Sequence, residues 1–420
     1  MNNDVLSGRA TDAADHASQS ASSRPAGPDR PGANRPASHG SVPDSAYGTL
    51  RTDFTLCERY LGMSRSLWEA TDATLQWMLR DPVARPSLNH IREQLVHHGN
   101  VTAATAVCRT LRTHASVFAP SGTAKDTTLA AVMAYCLPVA IGVMADQGIP
   151  DPVIETTLRD FAIWADVYRE KTGREGIWEL EWNLLSLTGR ILRIGRLQYE
   201  STVFAEPCYL FRRHDDGTIM ALAAPDIREL PDGRPQGTNG TRTDAGFTTA
   251  LNLSGSELIG NAIDMDRGVA LPETVRLNTN DIELLLAPGM PVTNMHVPAD
   301  GPLTPSAVDD SLSQASALLE RLGRRTPVVM CESWLLDPAL ERFAPADGNV
   351  CRFMRRFRKF PVRAERPMIM DRVFGWDSGS IRLQDLSERT TLQRHLKAYL
   401  LNGGTVHDTA GIMFMPHARP

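Results

Sequence analysis

The sequence predicts an α+β protein in which an all-helical part precedes a mixed β-sheet flanked by helices. Three observations carry this. Apolar residues recur at helical spacing up to Thr188, they alternate with polar ones from Ile191, and a strand–helix–strand order runs from Val292 to Cys331. With 420 residues, a soft prior of two to three domains applies, at roughly 150 residues each. The composition divides the chain into a disordered tail over 1–47, a helical domain over 48–188 and a sheet domain over 189–420.

The tail is rich in Ser, Ala, Pro, Gly, Asp and Arg. After Met1 its large apolar residues are Val5, Leu6, Val42 and Tyr47, too few to offset the entropy of ordering it. The helical domain reads from capping signals and spacing. Asp151 before Pro152 opens a helix, and Ile154, Leu158, Phe161, Ala165 and Tyr168 form its buried face until Lys171 and Gly173 end it. Leu67–Leu79 and Leu88–Val96 read as further helices, and Trp178, Trp182 and Leu185 continue the pattern. The apolar stretch Leu129–Ala145 is short for a bilayer, which needs about 20 residues. Pro138 interrupts it, so two buried helix segments on either side of a kink are expected.

From Ile191 to Glu200 the alternation reads as one strand, irregular near Gly195, with Val203–Phe211 as a hairpin partner. The Gly, Pro, Asn and Asp content of 226–256 marks a surface insertion, mobile and tolerant of change. Val292–Val297 is a short strand. Thr304 and Pro305 open a helix with Val308, Leu312, Ala315, Leu319 and Leu322 on one face, and Pro327–Cys331 is a continuous apolar strand. A crossover of this length implies parallel pairing. Asp337 and Pro338 start a short helix, and Val350–Val362 reads as a strand with Phe353 and Phe357 on one side. Thr390 and Gln393 form a capping box for a helix that Asn402–Gly404 closes. Gly411–Met415 is the last strand.

Lys plus Arg is 44 against 49 Asp plus Glu, a net charge of −5. That balance disfavours nucleic acid and membrane surfaces as partners. The six cysteines show neither a C-x-x-C pair nor a His at zinc spacing, so no metal is expected and free thiols in the cytoplasm are. The N-terminus carries no basic stretch followed by an apolar run. Motifs for a nucleophilic serine, a zinc protease, a P-loop and a dinucleotide turn are missing.

The strand–loop–helix unit from Val292 to Leu322 is the most informative segment. A Gly-containing loop that enters a helix start offers free N–H groups and the positive end of the helix dipole, a ready site for phosphate or pyrophosphate. Gly301 would let a ligand approach the backbone. The alternative is a plain strand-to-helix turn. His296, at the strand's end, is either a general base or a structural histidine bonded to backbone. Glu332 ends the neighbouring strand with Trp334 nearby, and reads either as a base of raised pKa or as a solvated carboxylate. Glu200, with Arg193, Arg196 and Gln198, marks a polar face that lines a cleft or meets solvent. Arg352 leads a run of five cations in eight residues, Arg352–Lys359. The run reads as a phosphate holder or as a solvated edge strand.

Taken together, Gly189–Glu200, Asn294–Leu303 and Cys331–Pro338 resemble the bacterial GNAT-like N-acyltransferases. Arg352, Phe353 and Phe357, then Val373–Gly375, Thr390 with Gln393, and Gly403–Gly404 follow in matching order. The resemblance runs from about Gly48 to Met415. It implies an all-helical N-terminal domain and a GNAT-like sheet domain that splays two parallel strands around an acyl thioester. Acyl-CoA, or an acyl carrier protein, would be a co-substrate rather than a tightly bound cofactor. Val297, Gly301, Leu303, Thr304, Ser306 and Arg352 would meet the donor. Glu200, His296 and Glu332 would be candidates to deprotonate a small-molecule amine. The competing expectation is a catalytically inactive module of this fold that binds a thioester or a protein partner.

Overall fold

The computed structural model describes residues 52–375 and 378–416, so the tail lies outside the described residues. The chain separates into two compact units, divided between Ile194 and Gly195.

The first unit is helical: α1 (Phe54–Leu61), α2 (Arg65–Met78), α3 (Ala84–Arg92), α4 (Val101–Phe118), α5 (Ala124–Asp146), α6 (Asp151–Leu158), α7 (Asp160–Thr172) and α8 (Leu180–Ser186). It ends in a short strand, β1 (Ile191–Ile194). Ser64 and Asn100 cap α2 and α4 through their side chains, and Gly173 closes α7 in the left-handed region at φ 67°. Asp151 is the first residue of α6 rather than its cap, and its carboxylate accepts from Tyr60 and Arg59 instead.

The expected kink becomes a single helix, α5, with Pro138 inside it. Proline has no N–H, so the carbonyl of Ala134 lacks its usual donor four residues on. Thr52 Oγ1 donates to that oxygen at 3.1 Å. Removing the hydroxyl leaves a buried carbonyl without that partner, so Thr52→Ala should cost about 1–2 kcal/mol, read as a lower melting point. By length and composition α5 could cross a membrane, but 78% of its most apolar stretch is buried among protein. It is a core helix.

The second unit contains two packed sheets. Its strands are β2 (Leu197–Val203), β3 (Cys208–Arg213), β4 (Ile219–Ala223), β5 (Arg228–Glu229), β6 (Phe247–Thr248), β7 (Leu251–Ser254), β8 (Glu257–Asp264), β9 (Val269–Asn278), β10 (Ile282–Leu286) and β11 (Pro291–His296). There follow α9 (Pro305–Arg321), β12 (Val328–Ser333), α10 (Asn349–Met354), β13 (Arg358–Pro361), α11 (Met368–Phe374), α12 (Thr391–Leu401) and β14 (Thr409–Phe414). One sheet runs β2-β11-β12-β14-β13, mixed because β11 and β12 are parallel and their other neighbours antiparallel. The second runs β10-β3-β4-β8-β7, with β9 also on β8. Val292, Val328, Met330, Phe360 and Ile412 of the first sheet meet Leu210, Ala221, Ile263 and Leu286 of the second in one core. Burial of these side chains stabilises the unit by roughly 1.5–3 kcal/mol each.

Several strand expectations change. Ile191–Glu200 is two strands, because Gly195 takes φ 62° and turns the chain. Val203–Phe211 is no partner of β2, since β3 pairs with β4 and β10 in the second sheet. Val350–Val362 holds a helix, α10, and then β13. A four-residue interval between Phe353 and Phe357 suits one face of a helix as well as one face of a strand, and their ring centroids lie 5.1 Å apart. The turn-rich 226–256 segment contains β5 paired with β6 and buried Glu229, Leu230, Thr238 and Thr249, so it is packed rather than loose.

The parallel crossover stands as expected. Thr304 caps α9 by accepting from Ala307 N. Ser311, fully buried on α9, accepts from Leu197 N at 3.2 Å and bonds Tyr199 Oη at 3.0 Å, which fixes β2 against the helix. The capping box of α12 has both of its bonds.

Candidate functional site

The site begins where β11 and β12 part. Their parallel ladder joins Thr293 to Val329 and Asn294 to Met330. Beyond that level β11 runs on to His296 alongside β2, while β12 runs on to Ser333 alongside β14. The gap is therefore lined by strand edges, a geometry that admits an extended ligand.

Side chains alternate across a strand, so register decides which candidates share a face. Asn294 lies opposite Glu200, and His296 lies opposite Gln198. Glu332 lies opposite Ala410, two residues along from Met330. Gln198, Glu200, Asn294, His296 and Glu332 thus belong to the face that carries Val292 and Met330 into the core further along. His296 Nε2 is 3.1 Å from Glu200 Oε2, with the histidine side chain 26% exposed and the glutamate 12%. A carboxylate on one ring nitrogen sets the tautomer and orientation of an imidazole. Glu332 is exposed at the corresponding end of β12. Asn294, whose Oδ1 is buried without a hydrogen-bond partner among the described residues, was missed by the sequence reading. The signal for it was its position two residues before His296.

Cys331, beside Glu332, is fully buried, and burial followed by the Glu332 charge pushes its thiol up to about 12. It remains protonated near neutral pH and is a poor nucleophile.

The loop after β11 carries the donor candidates. Val297 is half-buried, Gly301 is exposed at φ 77°, and Leu303 is buried. Arg196 reaches into this loop: its Nε donates to Pro302 O at 3.1 Å, and its Nη2 donates to Pro298 O and Gly301 O at 2.9 Å each. In the first turn of α9, Pro305 has no N–H. The N–H of Ala307 and that of Val308 go to Thr304 Oγ1 and Thr304 O. The Ser306 hydroxyl shares a 3.4 Å hydrogen bond with Thr304 Oγ1, and the Ser306 N–H is one of the helix-start donors without an intrahelical partner, beside the positive end of the helix dipole. Arg352 is exposed on α10. From the same cationic run, Arg356 pairs with Asp309 on α9 and holds that carboxyl below its ordinary range. The structure brings Glu200 and His296 into contact, aligns Glu332 on the facing strand end, and places Arg352 on a helix.

A cavity of about 590 Å³ between β4, β8 and the Phe414 end of β14 is lined by Arg356 and Arg358 of the cationic run and by none of the other candidate residues. No group of His, Cys, Asp and Glu suited to a metal occurs among the described residues.

Residues 191–413 match the GNAT-like C-terminal domain, and residues 54–189 match the N-acyltransferase N-terminal domain. The chain belongs to the GNAT-like N-acyltransferase family and is an acyltransferase. Among curated proteins, none matches it in sequence. Similar solved structures include an acyltransferase in complex with decanoyl-CoA, 19% identical over 75% of this chain and 79% of that one, with a TM-score of 0.47. Another is an acyltransferase in complex with CoA and 10C-teicoplanin, 18% identical over 86% and 99%, with a TM-score of 0.48.

Proposed function

We propose that this chain moves an acyl group from a coenzyme A thioester to an amine, with the thioester held in the gap between β11 and β12. The observation that carries this reading is the Glu200–His296 pair at the mouth of that gap. The neutral amine nitrogen attacks the thioester carbonyl, the C–N bond forms and the C–S bond breaks. His296 takes the proton lost by the amine while Glu200 carries the counter-charge, and a proton then passes to the leaving thiolate. Backbone N–H groups on the gap edges stabilise the developing oxyanion. Glu332 orients the incoming amine from the facing strand. The high pKa of the Cys331 thiol favours direct transfer over an acyl-enzyme. Val297, Gly301, Leu303, Thr304 and Ser306 line the donor's path, with Arg352 as an outlying cation. Six free, buried cysteines suit a reducing bacterial cytoplasm.

The test is the melting point of the purified protein with coenzyme A and a series of short and long acyl-CoA thioesters, followed by thiol release with amines. A ligand at 100 times its Kd stabilises the folded state by about 2.7 kcal/mol. A chain-length-dependent shift with amine-dependent thiol release is expected. A shift without thiol release would make the protein a thioester-binding module. Absence of both would overturn the coenzyme A donor and direct the search to an acyl carrier protein.

A further inference from the structure

We infer that Arg196 is a positioning residue that sets the polarity of the donor-binding loop. It does so without touching the donor. This rests on the coenzyme A reading above.

One guanidinium collects three carbonyls, those of Pro298, Gly301 and Pro302, from the loop between His296 and Pro305. In a trans peptide the C=O of one residue and the N–H of the next point in opposite directions. Turning Pro298 O and Pro302 O onto Arg196 therefore turns the N–H groups of Ala299 and Leu303 away from it. The third peptide ends in Pro302 and has no N–H to turn. The loop is polarised, with oxygens on the arginine side and amide hydrogens on the other. Those hydrogens join the Ser306 N–H and the start of α9 as an anion-facing set. Gly301 fits this arrangement, since its φ of 77° disfavours any residue with a side chain.

The guanidinium suits the task because its planar fork addresses several oxygens at fixed angles. A lysine supplies the same charge without the fork. The ligand class is a pyrophosphate diester, as in coenzyme A. A pantetheine-type thioester lacks that group and should be insensitive to the loop's polarity.

The experiment compares wild type, Arg196→Met and Arg196→Lys by calorimetric titration with coenzyme A. Turnover is measured on an acyl-CoA and on the matching acyl-N-acetylcysteamine. Both variants should bind coenzyme A at least about tenfold more weakly, equivalent to about 1.4 kcal/mol. The acyl-CoA KM should rise with kcat retained, and kcat/KM for the truncated thioester should stay unchanged. Wild-type affinity in Arg196→Lys would show that charge, not the fork, matters and would overturn the inference. An equal loss on the truncated thioester would overturn it too, since the defect would then be general. If wild type does not bind coenzyme A, the donor reading fails first. Wild-type binding with unaffected variants fails this inference alone.

Discussion

His296→Gln should lower kcat by about 10²–10⁴-fold, the range for losing a positioned general base, while the protein melts within a few degrees of wild type. The stability half of this expectation follows from packing. The His296 side chain is 26% exposed and bonded to Glu200, outside the core formed by Val292, Met330 and Phe360. Substitution there lacks the cavity and buried-charge mechanisms behind large destabilisation. The kinetic half follows from proton balance, because a neutral amine acquires a positive charge as it attacks and must shed a proton. Glutamine keeps a hydrogen-bonding side chain near Glu200 but cannot accept that proton. Glu200→Gln should lose less, because the imidazole remains while its orienting carboxylate becomes an amide. Rates on saturating thioester and amine decide between roles. Full activity in His296→Gln would remove that residue from the proton path, and full activity in Glu332→Gln would remove Glu332 as the group that orients the amine.

The strand–helix–strand geometry that carries the candidate residues was legible in the sequence because its determinants are local. Thr304 before Pro305, apolar spacing from Val308 to Leu322, and the apolar run ending at Cys331 specify a parallel crossover without knowledge of the rest. Parallel strands then bring His296 and Glu332 to equivalent ends. What escaped depends on contacts between distant residues. The three carbonyls held by Arg196 lie more than 100 residues from it in sequence. The burial of Asn294 Oδ1 depends on which strand lies opposite. The turn at Gly195 was hidden because the alternation of Ile191–Ile194 resumes in Leu197–Glu200 and so reads as one strand. Phe353 and Phe357 satisfied two periodicities at once.

The 226–256 segment shows the same limit in its sharpest form, and a pair of glycines measures it. Gly233→Ala should destabilise the protein by about 3 kcal/mol or more, from left-handed backbone cost, a lost backbone hydrogen bond and steric overlap together. Gly233 sits at φ 83°, and a Cβ built there would lie 2.0 Å from Ala270 O. Its carbonyl accepts from Ala270 N at 2.8 Å, so the clash falls on the contact that ties the segment to β9. Neither partner yields, since both are backbone. Gly240→Ala is the control: φ is 72° there, but nothing lies within 4 Å of the added carbon. That substitution should cost about 1–2 kcal/mol, the conformational term alone. For a unit of this size about 1 kcal/mol shifts the melting point by roughly 2–4 °C, so the two variants should separate clearly in a thermal scan. Equal melting points would mean that the segment lifts from β9 without penalty, the loose insertion its composition suggested. A large difference would place it among the elements that hold the second unit together, despite a sequence made of turn formers.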